Sequence, residues 1–389
     1  MPPHTGAYMK WPMAAFGILF VSMLQAQPNN AEFGGYAKYL FSRTEMPSQQ
    51  ETYDHALHAR INTKWFPMED LSGILELRTR LFYGDIVEQT PGFSDKLGHD
   101  AGFGKLGRVL WNQKKSTAYA EIDRLYFNWG PSGWQISAGR QRIAWGTNLV
   151  WNPIDLFNPQ SVLDFDYEER PAVDAIRIQY YTGDVSKVEL AVKPGTASSE
   201  AISAAQWSIN KWDYDFHFLG GWKAGNWFAG TGWAGDIRGG GFRGEVMTSK
   251  IAKTFQKPGS AVVMVSIAVS GDYTFPSSLY IHTEVLYNSE GVVSDAALSR
   301  TKAQALGLLT PARWSVYQEL SYNVSPLVHT GLFAIVNPTD QSSVVVPSTT
   351  WSVVTNFDLT FLALFFNGDA LTEYGQLGTS LYIRGKWSF

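Results

Sequence analysis

The residues that most restrict the fold are the last ten. From Ser380 to Phe389, Leu381, Ile383, Gly385, Trp387 and Phe389 fall on one face, and Ser380, Tyr382, Arg384, Lys386 and Ser388 fall on the other. Period two belongs to an extended strand, whose successive side chains point to opposite sides of a sheet. The pattern recurs along the chain. His58, Arg60, Asn62 and Lys64 oppose Leu57, Ala59, Ile61 and Trp65, while Glu76, Arg78 and Arg80 oppose Leu75, Leu77 and Leu81. Lys187, Glu189 and Lys193 oppose Val188, Leu190 and Val192. Arg243 and Glu245 oppose Phe242 and Val246, as His282 and Glu284 oppose Ile281 and Val285. A soluble sandwich also alternates. Here the polar face is rich in long charged side chains and the apolar face ends in Trp and Tyr, as in a closed barrel with an apolar outside and a wet inside.

Composition agrees. Gly 36, Trp 15, Tyr 18 and Phe 23 in a 389-residue chain that is only 17% charged suit strands and membrane interfaces. No apolar run of about 18 residues follows the leader, which argues against spanning helices; alternation hides a barrel from that test. Cys 0 excludes disulfides, thiolate metal sites and cysteine nucleophiles. A formal net charge of -4 offers no cationic surface to nucleic acid. No shift of composition marks an internal boundary, so residues 27–389 read as one domain behind a leader. In that leader, Lys10, the apolar stretch Trp11 to Leu24 and the small residue Ala26 form a secretory signal over 1–26, with Met9 as an alternative initiator.

Segments of suitable length number about 16–18 strands, placed near 33–43, 52–65, 72–83, 116–129, 134–145, 174–182, 187–193, 203–210, 213–223, 226–235, 239–250, 261–274, 278–289, 312–323, 326–337, 344–355, 357–367 and 378–389. Short turns such as Gly130-Pro131-Ser132-Gly133 fall on one side, and the long segments 84–115, 146–173 and 290–311 on the other. The phase breaks near Asp123-Arg124 and Gly139-Arg140, where bulges are expected. The fold class is therefore all-β: a transmembrane antiparallel up-and-down barrel with long extracellular loops and one inward-folded loop.

The most individual stretch is Gly139-Arg140-Gln141-Arg142-Ile143-Ala144-Trp145-Gly146, followed by Asn152-Pro153-Ile154-Asp155-Leu156-Phe157-Asn158-Pro159. This G-R-Q-x-x-x-W-G and N-P-x-D-x-x-N-P pair resembles a poorly characterised group of porin-type bacterial outer-membrane β-barrels. The closing strand is similar to those of outer-membrane barrels generally, which implies that Trp387 and Phe389 form an assembly signal read by the barrel-assembly machinery. The resemblance implies an outer-membrane location, contact with outer-membrane lipids, and a third long loop, 146–173, that folds inward as a constriction. Two Asn-Pro pairs would stiffen it. Oligomeric state is left open.

Closing the barrel would set the last strand beside the first three, so Lys38, Arg60, Lys64, Arg78, Arg80, Arg384 and Lys386 form a basic lumen wall, joined by Arg140 and Arg142. Asp155, Asp164, Asp166, Glu168 and Glu169 of the loop would face it, and the two sets would impose a transverse field on passing solutes. The plainer alternative is that the cations pair with nearby acids such as Glu76. The acidic run lacks the glycine and terminal glutamate of a calcium loop. Gly239-Gly240-Gly241-Phe242-Arg243-Gly244 leads into a strand rather than a helix and so holds no nucleotide. His55 and His58 fall on opposite strand faces and cannot share a metal. With no G-x-S-x-G, H-E-x-x-H or phosphate loop, no enzyme, metal or cofactor is expected. The function expected is passive diffusion of small hydrophilic solutes; the alternatives are a substrate-specific or export conduit with a periplasmic partner and, behind it, an outer-membrane enzyme. N-terminal sequencing of the mature protein should begin at Gln27; an intact Met1 or Met9 would contradict the leader.

Overall fold

A computed structural model describes residues 30–97, 102–158, 163, 166, 169–195, 201–252 and 261–389. The leader, Asp164 and Glu168 lie outside the described residues. The strands are β1 (Ala31–Glu45), β2 (Glu51–Met68), β3 (Leu71–Gly84), β4 (Gly107–Gln113), β5 (Ser116–Trp129), β6 (Trp134–Gln141), β7 (Val173–Tyr181), β8 (Lys187–Lys193), β9 (Ile202–Lys211) and β10 (Tyr214–Lys223). They continue with β11 (Asn226–Ile237), β12 (Gly240–Ala252), β13 (Ala261–Thr274), β14 (Leu279–Asn288), β15 (Trp314–Ser325), β16 (Val328–Asn337), β17 (Ser342–Val354), β18 (Phe357–Asn367) and β19 (Thr379–Ser388). Short helices α1 (Asp85–Gln89), α2 (Phe93–Leu97) and α3 (Arg300–Leu306) sit in the long connections. None is long and apolar enough to cross a membrane.

All 19 strands belong to one antiparallel sheet, and β19 returns to β1 in register from Tyr36↔Ser388 to Glu45↔Thr379. Closure removes every free edge from the ring. One strand stands outside it. β4 pairs only with β5, along Ser116 to Glu121, above the point where β6 begins its own pairing with β5 at Leu125. These residues were expected inside the long segment 84–115. Gly107-Arg108-Val109-Leu110-Trp111-Asn112-Gln113 carries no clean alternation, because a register shift between Val109 and Trp111 interrupts it.

The two phase breaks have separate causes. Between β3 and β5 the register skips Asp123, with Glu76 opposite Arg124 and Leu77 opposite Ile122, so a bulge resets the faces. At the other break no residue is skipped; Gly139 takes φ 122, and a Cβ there would lie 2.3 Å from the Leu125 carbonyl oxygen. β6 then ends at Gln141 rather than at 145, because the N–H of Ile143 turns to Asn158 instead of a neighbouring strand. One rim carries only short turns, and the other carries the long connections together with a few tight turns such as Ala224-Gly225. Trp212-Asp213, Ala224-Gly225 and Arg238-Gly239 each take positive φ at both positions, the twist that two-residue hairpins favour. The long connections 85–115, 142–172, 289–313 and 368–378 all leave from one rim.

Burial is inverted relative to a soluble protein. Leu57, Leu77, Phe127, Leu190, Phe218, Phe361 and Ile383 point out and are exposed, whereas Glu189, Glu245 and Glu284 point in and are 0% exposed. Aromatic residues bound the outer apolar band at both rims: Trp134 and Tyr180 meet at 4.6 Å near the short hairpins, and Tyr287 and Trp314 at 4.7 Å near the long connections. Such girdles mark the two edges of a bilayer. The buried apolar clusters lie inside the ring. Trp145, Ile154 and Phe157 pack on Ala175, Ala191, Leu219 and Phe228 of the wall, and Trp151 packs with Leu286, Tyr317, Ile335 and Val344.

The seam closes on the chain's last residue. Phe389 and Gly35 exchange two backbone hydrogen bonds of 3.0 Å, and a Cβ at Gly35 would lie 2.8 Å from the Phe389 ring and 2.2 Å from the Arg60 carbonyl oxygen. Deleting Phe389 removes both bonds, each contributing about 1 kcal/mol, and Gly35→Val cannot fit. Both changes should weaken the heat-modifiable folded band on a gel, Gly35→Val more strongly; an unchanged band would show that the seam closes elsewhere.

Candidate functional site: the lumen and its inner loop

The segment after β6 is pinned at its base. Arg140 makes a two-point contact with Asp174, Nε to Oδ1 at 2.8 Å and Nη2 to Oδ2 at 3.0 Å, and also donates to the Gly104 carbonyl. Gln141 donates to the Ala175 carbonyl at 3.0 Å. Asn158 accepts the Ile143 N–H at 2.9 Å and donates to the Pro171 carbonyl, joining the outgoing and returning chain.

From this base the loop runs inside the ring along the wall from β8 to β14, where carboxylates receive it. Glu189 of β8 accepts the Trp145 indole N–H at 2.6 Å, alongside Arg177 at 2.6 and 2.8 Å and Gln179 at 3.0 Å. Glu245 of β12 accepts three backbone N–H groups, those of Thr147 at 2.5 Å, Asn148 at 3.0 Å and Ile154 at 3.1 Å, and the Thr147 hydroxyl at 3.1 Å. Glu284 of β14 accepts the N–H of Trp151 at 2.6 Å and of Val150 at 3.1 Å. Ser270 of β13 donates to Asn148 at 3.0 Å. A loop backbone drawn out of water needs an acceptor for each N–H, and ionised acceptors make the stronger bonds. At Gly146 a Cβ would lie 2.1 Å from Asn152 Oδ1, so the chain doubles back there as only glycine allows.

The returning limb reaches the basic wall. Asp166 lies 3.1 Å from Lys38 Nζ and 3.5 Å from His58 Nδ1. Glu169 accepts the Tyr36 hydroxyl at 2.9 Å and lies 3.7 Å from Arg60. Asp155 is paired with Arg170 within the loop. The wall's other cations meet acids of its own strands. Arg60 bonds Asp123 at 2.5 Å and pairs with Glu76; Arg78 bonds Glu121 at 2.6 Å, and Arg80 lies 3.7 Å from the same carboxylate. Loop acids and wall cations thus touch rather than face each other across water, and Glu76, Glu121 and Asp123 neutralise much of the wall.

The remaining expected residues are dispersed. Lys64 is exposed with its ammonium 4.7 Å from the Phe66 ring, and Arg142 is exposed where the loop leaves β6. Lys386 sits 4.8 Å over the Tyr36 ring. Arg384 reaches Thr360 at 3.5 Å beside a cavity of about 190 Å³ that it lines with Ser348, Thr350 and Tyr382. Glu189, Glu245 and Glu284 stood in the sequence only as inward-facing acids. Their anchoring role needs knowledge of where the loop lies, and period-two spacing carries none.

No protein-family model matches the sequence, and no curated protein matches it. Solved structures do. OccAB3 of Acinetobacter baumannii aligns over 92% of this chain and 99% of its own at 9% identity with a TM-score of 0.59. OccAB2 of the same organism covers 93% and 98% at 8% identity with 0.58, and OccK8 (OprE) of Pseudomonas aeruginosa covers 92% and 98% at 9% with 0.54. The chain shares the fold of these bacterial outer-membrane channels over nearly its whole length.

Two loop carboxyls should titrate apart. Burial pushes Asp155 up to about 6, against the pull of Arg170. Burial would raise Asp166 too, but the close approach of His58 and the charge of Lys38 hold it below the usual carboxylate range. The signs oppose: Asp155 favours the docked loop at low pH and loses that contribution as pH rises from about 4 to about 6, whereas Asp166 contributes above its ordinary value and fails only in stronger acid. A carboxyl carbon-13 titration should give a midpoint near 6 for Asp155 and one below 3.8 for Asp166; coincident midpoints would contradict the docked geometry.

Proposed function

We propose that the chain is a solute-selective channel of a bacterial outer membrane, narrowed by its inner loop, rather than a wide pore for unselective diffusion. The observation that carries this reading is the fastening of one loop to Glu189, Glu245 and Glu284 on one side of the lumen and to Lys38 and Arg60 on the other. An eighteen-strand ring would otherwise enclose a broad aqueous channel. A loop held at two walls confines solutes to passages beside it. There Lys64, Arg78, Arg80, Arg142, Arg384 and Lys386 act as pore lining, Lys38, Arg60 and Arg140 hold the loop, and Asp155, Asp166 and Glu169 belong to the constriction. The inverted burial and the two aromatic girdles support the membrane location. Trp387 and Phe389 serve as the mark for the assembly machinery.

Planar-bilayer recordings test this. Glu245→Gln with Glu284→Gln keeps side-chain shape but turns an amide donor toward N–H donors, a cost of about 1–3 kcal/mol per unsatisfied group. Conductance should rise and discrimination between solutes should fall. Arg78→Ser with Arg80→Ser should move the reversal potential toward cations, with the shift shrinking at molar salt. Unchanged conductance and reversal potential in folded variants would place the loop outside the conducting path.

A further inference from the structure

Most of the apolar surface inside the ring is covered where the loop packs on the wall, yet one recess at the long-connection rim stays open and is lined largely by apolar side chains. Two adjoining cavities of about 370 and about 230 Å³ lie between the inner loop, the wall from β10 to β13 and the connection that carries α3. They share Pro153, Leu156, Lys223, Gln304, Gly307 and Leu309 as lining. Phe228, Met247 and Met264, all buried, supply an apolar side.

The charges in this recess are one-sided. Lys223 closes β10 and makes no hydrogen bond or ion pair among the described residues; its ammonium lies 3.7 Å from where a Cβ on Gly307 would stand. Arg300 lines the larger cavity, donates to the Glu373 backbone carbonyl and makes no direct ion pair among the described residues, with the Glu373 carboxyl outside the lining but within electrostatic reach. The one acid in the lining, Asp155, is taken by Arg170. A half-buried cation facing an apolar hollow lacks the counter-charge that such burial calls for.

We propose that this recess is a binding site for an amphipathic organic anion, an apolar body seated against Leu156, Phe228 and Met264 with its anionic group on Lys223 and Arg300. The combined space falls within the size range of small-molecule sites, which are likewise mostly apolar with a few placed polar groups. The assignment rests on the channel reading for its purpose, since a site at the mouth would load the solute before the constriction. It does not rest on that reading for its chemistry.

The test is calorimetric titration of the folded protein in nanodiscs, with empty discs as control, beside single-channel recording. The probes are 4-phenylbutyrate, 4-phenylbutanesulfonate, the neutral 4-phenylbutanol and acetate. Both aromatic anions should bind, whereas the alcohol, lacking charge, and acetate, lacking the apolar body, should bind at least about tenfold more weakly. Lys223→Gln should weaken the anions by about tenfold, and Gln304→Trp, at an exposed position lining both cavities, should block them by filling the space. Equal binding of the alcohol, equal binding of acetate, or full affinity in Lys223→Gln would overturn the site. If Lys223→Gln does not fold, retained affinity in Gln304→Trp overturns it instead. Anion binding without conductance would uphold the site and remove the channel reading, while conductance without binding would do the reverse.

Discussion

Glu245 has no exposed surface and receives only neutral donors, three of them backbone N–H groups of a single loop. An isolated carboxylate in that position would be costly to keep charged; the converging donors make it tolerable, and the same donors would be orphaned without it. Each partner therefore depends on the other. Glu284 on β14 likewise takes two loop N–H groups, and Glu189 on β8, already paired with Arg177, takes the Trp145 indole N–H, so the loop follows the wall where carboxylates meet it. The apolar clusters of the molecule then form between loop and wall. Trp145 and Trp151 pack inside a ring whose own apolar residues face outward.

The electrostatics of the lumen follow from closure and register. Pairing β19 with β1, β1 with β2 and β2 with β3 sets Lys386 opposite Lys38, Lys38 opposite His58 and His58 opposite Arg80 in one row. Such a row cannot persist alone in a confined space. It is relieved from two directions, by Glu121 and Asp123 of β5 and by Asp166 and Glu169 of the returning loop. The bulge that skips Asp123 is part of this, since Asp123 reaches Arg60 at 2.5 Å.

Much of the architecture was legible because membrane and lumen impose opposite demands on alternate residues. Strands such as β5, β8, β13 and β18 occupy the spans that alternation marked, and both phase breaks correspond to real changes of face at Asp123 and Gly139. Where that demand lapses, the signal lapses too. β4 lies beyond the start of β6 pairing and shows no alternation, and β6 stops at Gln141 because Ile143 and Trp145 already belong to the loop. The motif at 139–158 stood out without disclosing its purpose. Its Arg140, Gln141, Trp145 and Asn158 are the fasteners of the loop base, which only long-range contacts reveal.

The position of the loop inside the ring can be tested without reference to transport. Asn148 in the loop and Ser270 in β13 are in side-chain contact at 3.0 Å, and the sequence has Cys 0, so a pair of introduced cysteines is unambiguous. In Asn148→Cys with Ser270→Cys, a small bifunctional thiol reagent should bridge the two cysteines within one folded barrel, because the Asn148 oxygen that makes the contact lies two bonds beyond its Cβ and a direct disulfide would need the Cβ atoms closer. Two singly labelled, unbridged cysteines in a folded, reagent-treated barrel would contradict the docked loop, and with it the account of the lumen.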